Sequence, residues 1–319
     1  MNRRAVLWAG LAGVLAGGAG LALWRTASPK AMAAAAFNAL YTTPLTPPDA
    51  VLSVYHLGHS LVGRDMPVML NQLAAAAGFT AHSHASQLGW GASLDQHRKG
   101  DVPGMEQENA HPNHRPADTA LASGAYDAVV LTEMVEIRDA IRYHDSANAL
   151  AHWARTARAG NPNARLYLYE TWHRLDDAEG WLNRIDADFT RAWQDQLLRV
   201  AMVAPDVGTI HLIPGGQTLA AVTRAIEAGE VPGLTRREDL FSRDAAGAVD
   251  PIHLNDLGAY IIALTHFATL YHRSPLGLPG ALLRADGTPA TPIPDAAIAP
   301  LQTLVWQVVT RYSLTGVAG

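Results

Sequence analysis

Short apolar runs alternate along this chain with longer segments whose apolar residues recur at helical spacing. The runs Val51–Leu57, Tyr126–Leu131, Ala164–Tyr169 and Val207–Ile213 are short and bounded by turn-forming residues, which predicts strands, and the more polar Thr80–Ser86 can form a further one. Between and after them, Val68–Ala77, Asp145–Ala159, Asp186–Ala204, Gln217–Ala228, Leu257–Tyr271 and Ala296–Tyr312 have helical patterning. In the third of these, Ile185, Phe189, Trp193, Leu197 and Val200 fall on one face. Short, mostly apolar strands separated by helices imply a parallel sheet covered on both sides. The expected fold is therefore α/β, a three-layer α/β/α sandwich with a central parallel sheet of about five strands. No internal repeat is visible.

Polar and small residues collect just after the strands: Gly58-His59-Ser60, Gly89-Trp90-Gly91, Thr132-Glu133 and Thr171-Trp172-His173. Ligand sites of open α/β sheets lie at these carboxyl ends. The first stretch, Val51–Pro67, sets the frame. A strand runs into a tight turn carrying Ser60, and a helix follows with Asp65 as its expected N-cap and Pro67 in its first turn. This placement lifts a serine hydroxyl to the sheet edge, where it is either a turn former or a nucleophile. Gln87–Leu94 is expected to be a loop in which Gly89 and Gly91 permit close backbone approach. Gly100–Ser123 is long and polar, with His111 and His114 three residues apart. Without a third ligand nearby they read as a solvated loop in preference to a metal site.

Composition narrows the function classes. A net charge of −5 offers no basic stripe for a nucleic-acid partner, and 17% charged against 49% hydrophobic residues suits a globular chain. The absence of cysteine excludes disulfides, thiolate metal sites and a cysteine nucleophile. Arg3 and Arg4 precede the uncharged stretch Ala5–Trp24, and Ala31-Met32-Ala33 offers a small-x-small cleavage site. Residues 1–33 thus read as an export signal or an N-terminal membrane anchor, placing the body outside the cytoplasmic membrane, with membrane contact through this segment only. Residues 34–50, with Pro44, Pro47 and Pro48, read as a linker, and residues 51–319 as one domain.

Near the C-terminus stands Asp250-Pro251-Ile252-His253-Leu254-Asn255, expected to form a short loop before the last long apolar helix. Three residues apart, Asp250 and His253 can converge as an orienting carboxylate and a base, which a serine hydroxyl needs in order to act as a nucleophile. They can equally cap a turn and the helix.

Gly58-His59-Ser60-Leu61, the glycine block after the second strand, and Asp-x-x-His before the last helix together resemble the SGNH (GDSL-like) hydrolases. The likeness spans about residues 51–271. It implies a flavodoxin-like sheet, Ser60 as nucleophile, His253 as base and Asp250 as its partner. The backbone N–H groups of Ser60 and Gly91, with Gly89 as alternative, would bind the oxyanion. Two positions depart from the family: His59 replaces an aspartate, and Thr132-Glu133 stands where a Gly-x-Asn-Asp supplies an asparagine donor. Thr132, or Glu133 if protonated, would have to substitute. The resemblance implies a cofactor-free serine esterase or deacylase acting on a small ester, such as an O-acetyl group on a glycan. An O-acyltransferase with the same triad and a catalytically silent glycan-binding domain are the rivals. For the glycan-binding reading Trp90, Trp172 and Trp181 offer a stacking platform for sugar rings, although tryptophans in strand-end loops are as often plain packing.

Overall fold

The computed structural model describes residues 30–319, so the expected signal or anchor lies almost wholly outside the described residues. Five strands form the main sheet: β1 (Ser53–His59), β2 (Ser83–Gly89), β3 (Ala128–Thr132), β4 (Arg165–Glu170) and β5 (Ile210–Pro214). Their order is β2-β1-β3-β4-β5, every pair is parallel, and β1 lies between β2 and β3. The helices Asp65–Ala76, Gly215–Glu227, Asp256–Tyr271 and Asp295–Arg311 bury one face of this sheet. Ala117–Ala122, Ile137–Tyr143 and Ser146–Gly160 cover the other, with the π-helix Phe189–Leu198. The molecule is thus a three-layer α/β/α sandwich with apolar packing on both sides of a parallel sheet.

Several elements differ from expectation for identifiable reasons. β2 runs from Ser83 to Gly89, later than expected, because it must match β1 from Ser53 to His59 in register. Its polar residues Ser86 and Gln87 are buried because the long segment after it pairs with its outer edge. Asn109 donates to the Leu88 carbonyl and accepts from the Leu88 N–H, and Arg115 N donates to the Ser86 carbonyl. That covering protects an edge that would otherwise present unpaired backbone groups. The segment expected as Asp186–Ala204 is α-helical only to Asp188 before its turns widen. Its apolar residues step by four from Ile185 through Phe189 and Trp193 to Leu197, and the first three-residue step, to Val200, comes where the α-turn resumes. Part of the expected linker is packed: Phe37 and Tyr41 are buried against the sheet, and the Tyr41 hydroxyl donates to the Ile210 carbonyl at 2.7 Å.

The expected loop around Asp250 is instead β7 (Val249–Leu254), paired antiparallel with β6 (Phe241–Arg243) in a separate two-stranded ribbon. Phe241 faces Leu254 and Arg243 faces Val249, so a two-residue step on β6 spans five on β7. The surplus bulges at Asp250–His253. Residues three apart on a regular strand face opposite ways, and the bulge is what lets these two meet.

Candidate active site

Ser60 follows directly on β1, in a turn held from several sides. Gly58 has no alternative there: a Cβ at this position would lie 2.7 Å from Thr132 Cβ on the neighbouring strand. His97 Nε2 donates to the Gly58 carbonyl at 2.8 Å, and its Nδ1 accepts from the Gln87 amide, whose oxygen accepts from Ala117 N. His59 Nε2 donates to the Glu133 carbonyl at 2.7 Å, leaving Nδ1 to accept from Leu61 N at 3.3 Å. Both rings are buried, and burial drives each imidazole from 6.5 down to about 4 against its own hydrogen bond to a carbonyl. They are neutral spacers that link β1 to its surroundings.

The ribbon brings the other groups. His253 Nε2 lies 3.0 Å from Ser60 Oγ, and His253 Nδ1 lies 2.8 Å from Asp250 Oδ2. A carboxylate only accepts, so Nδ1 carries the proton and the Nε2 lone pair faces the serine hydroxyl. The other Asp250 oxygen accepts the N–H groups of Ile252 and His253 at 2.9 and 3.0 Å. Partial burial pushes the Asp250 carboxyl up, but these N–H donors and the His253 ring outweigh it and hold the group below its usual range. Trp172 Nε1 donates to the Ile252 carbonyl at 2.8 Å and Leu175 N to the Pro251 carbonyl at 2.7 Å, tying the bulge to the segment after β4. That segment is anchored in turn by buried Arg184, paired with Glu136, Asp177 and Asp188.

Of the expected oxyanion donors, Ser60 and Gly91 line one groove together, and Gly91 has a positive φ of 58°. Neither backbone N–H has a hydrogen-bond partner among the described residues. Gly89 closes β2 instead, packed under Val102 and Ala92. Thr132 and Glu133 are not at the site. Both are fully buried, and from this strand end it is Val135 that lines the groove. Glu133 Oε1 accepts the N–H groups of Leu94 and Met134 at 3.2 and 2.8 Å. Burial raises its pKa from 4.5 to about 7, against those two N–H donors. Glu170 repeats the pattern at the end of β4, accepting from Gln217 N in the first turn of the Gly215–Glu227 helix. Helix N-termini gather at the carboxyl edge of a parallel sheet, and their unpaired N–H groups need acceptors. Glu133 and Glu170 serve this purpose, which explains polar residues at strand ends that never reach a ligand.

Two hollows meet at Ser60 and His253. One, about 120 Å³, lies between Leu61–Met66, Trp172 and the Leu254–Ile262 segment. The other, about 560 Å³, is bounded by Trp90, Gly91, Glu108, Val135, Arg174 and Ile252. Of the three tryptophans expected as a platform, Trp172 and Trp181 are each 1% exposed and belong to the core. Trp90 is 55% exposed, and its Nε1 donates to Glu108 Oε1 at 2.8 Å. A Cβ on Gly104 would strike its ring at 2.3 Å, so the indole is laid flat on glycine backbone with its other face free. His111 borders a separate small hollow that does not include Ser60, His114 pairs with Ser86 of β2, and no group of three His, Asp or Glu side chains placed to hold a metal ion occurs among the described residues.

Sequence reasoning missed the roles of Gln87, His97 and Trp172. Each bonds to a backbone group distant in sequence, and no local pattern marks such a partner.

No family model matches the chain, and no curated protein matches it. Solved structures with partial likeness include a candidate GDSL-like lipase from Parabacteroides merdae ATCC 43184. It is 13% identical, with a TM-score of 0.42 over 72% of this chain and 98% of that one. Phospholipase A1 from Streptomyces albidoflavus NA297 is also 13% identical, with a TM-score of 0.29 over 66% of this chain and 95% of that one. Neither likeness is close enough to carry an activity or a residue role across.

Proposed function

We propose that this protein is a serine ester hydrolase of SGNH type, acting on a small ester through an acyl-enzyme. The observation that carries the reading is the unbroken line from Asp250 Oδ2 through the His253 ring to Ser60 Oγ, at 2.8 and 3.0 Å. These are hydrogen-bonding distances for a nucleophile and its base without any rearrangement. Ser60 Oγ attacks the ester carbonyl as its proton passes to His253 Nε2, and Asp250 stabilises the imidazolium. The oxyanion forms against the free N–H groups of Ser60 and Gly91. His253 then protonates the leaving alkoxide, and water repeats the sequence to release the acid and restore Ser60.

The wide groove with the exposed Trp90 face supports a ring-bearing alcohol, such as a sugar, as the leaving group. Export rests on Arg3-Arg4 and the apolar stretch after them. One observation favours a silent, glycan-binding domain: with Glu133 turned into the interior, β3 supplies no third oxyanion donor, and loss of one donor costs ~10²–10³ in rate. Acetate release from an activated ester by the purified protein, abolished in Ser60→Ala and indifferent to EDTA, supports the hydrolase. Absence of release supports the silent domain. Chelator-sensitive release points to a metal centre instead, and acetyl transfer to an added glycan in place of acetate release identifies an acyltransferase.

A further inference from the structure

We propose that the 120 Å³ hollow beside Ser60 is the acyl pocket and that it limits the acyl group to about four carbons; this rests on the hydrolase reading above. An apolar cavity of about 150 Å³ just admits benzene. A hollow of about 120 Å³ offers less room than that, which favours a short chain over a pyranose or nitrophenyl ring. The 560 Å³ groove that carries Trp90 has room for the ring. Both hollows touch Ser60 and His253, so an ester straddling Ser60 with its ring in the groove places its acyl chain in the smaller space.

The walls suit an uncharged chain. Leu61, Val62, Met66, Trp172 and Ile262 are buried core residues and cannot swing away without disturbing the packing behind them. The charged residues that also border the hollow are engaged elsewhere. Arg64 donates to the Gln107 and Glu108 carbonyls, and Asp65 Oδ1 accepts from Ala285 N at 2.8 Å. Both side chains are held by backbone partners, and the walls deeper in the hollow are apolar. Two substitutions change the space in opposite directions: Met66→Ala widens it and Ala259→Leu, on the Asp256–Tyr271 helix, narrows it.

The test is kcat/KM of the full protein on p-nitrophenyl acetate, butyrate, hexanoate and octanoate, which share one leaving group. The expected profile keeps acetate and butyrate within about tenfold and drops hexanoate and octanoate by about 10²-fold. Met66→Ala raises the hexanoate-to-acetate ratio, and Ala259→Leu lowers the butyrate-to-acetate ratio. Because Met66 is a core residue, Ala259→Leu keeps the test decisive if Met66→Ala does not fold. Trp90→Ala lowers all four substrates alike, through KM. A flat profile, a rise with chain length, or chain-length ratios unmoved by folded Ala259→Leu protein overturns the pocket assignment while leaving the hydrolase in place. No turnover of any of the four esters overturns both.

Discussion

The two halves of the Ser60–His253 site are built differently. The Ser60 half belongs to the interior. It sits at the end of a central strand, and neutral buried imidazoles tie its turn to β2, to β3 and to the segment beyond. The His253 half belongs to a small ribbon outside the main sheet, where Asp250 and His253 are partly exposed and their bulge is tied down by backbone carbonyls at Pro251 and Ile252. The nucleophile is fixed by packing that also holds the fold together. The base is fixed by a few hydrogen bonds, so substitutions there can change rate with little change in stability, whereas substitutions around Ser60 must change both.

The largest effect expected is on the ribbon side. His253→Ala lowers kcat on an activated ester by as much as ~10⁶, and Asp250→Asn by ~10⁴, because the amide no longer holds the correct tautomer. Both variants keep a melting temperature close to that of the parent. A large fall in melting temperature in either would show that the ribbon is part of the structural core, and the contrast would fail.

Acid tests the other half. His59 and His97 fall from 6.5 to about 4 on folding. A depressed imidazole pKa means that the unfolded chain takes up protons first. The stability tied to these rings is therefore complete above pH 6.5 and is lost as pH falls towards 4, on the order of 3 kcal/mol for each ring. Glu133 runs the other way: raised from 4.5 to about 7, it contributes stability below pH 4.5 that disappears as pH rises towards 7. Glu170, raised to about 8, acts in the same sense as Glu133, but His56, His82, His211 and His266 are also buried and lowered, so the histidines outnumber the two carboxyls. Denaturant melts between pH 8 and 4 should show a steep loss below 6.5, and His97→Gln should lessen it by about one ring's share. A pH-independent midpoint would contradict the neutral brace.

A smaller effect is expected where the halves join. Trp172→Phe removes the bond to the Ile252 carbonyl while keeping most of the ring volume. Its kcat should fall by about tenfold at nearly constant KM, with about 1 kcal/mol of stability lost. Equal losses in kcat/KM and stability from Leu175→Ala, which keeps its backbone bond to Pro251, would remove Trp172's special role.

Glu133 should matter least to rate. Glu133→Gln retains an acceptor for Leu94 and Met134, and kcat should stay within about a factor of two. Glu133→Ala leaves two N–H groups unpaired and should cost ~1–3 kcal/mol of stability with kcat little changed. Full rate in Glu133→Gln, lost rate in Glu133→Ala and unchanged melting in both would instead restore Glu133 to the oxyanion.

What the chain made legible follows the same division. The strand–turn–helix around Ser60 could be read because its signals are local: an apolar run, a glycine, a serine, then helix-starting residues. Asp250 and His253 could be paired from their spacing, but the bulged strand that makes them meet depends on pairing with β6, which no local pattern records. Asp65 looks like an N-cap, yet it is already helical and its carboxylate serves Ala285, 220 residues away in sequence. Thr132 and Glu133 misled for a general reason. Polar residues at strand ends are needed both for ligands and for helix N-termini, and only burial separates the two uses. Of the three tryptophans, exposure alone singled out Trp90.

The central claim is that Ser60 is a nucleophile activated by His253. Its most direct measurement is covalent. The purified protein is treated with a serine-directed fluorophosphonate, digested, and the adduct located by mass spectrometry. The expected result is a single adduct on Ser60, formed at a rate that falls at least ~10³-fold in His253→Ala, since the free hydroxyl is a weak nucleophile without its base. Labelling elsewhere, or labelling of Ser60 at the same rate in His253→Ala, would contradict it.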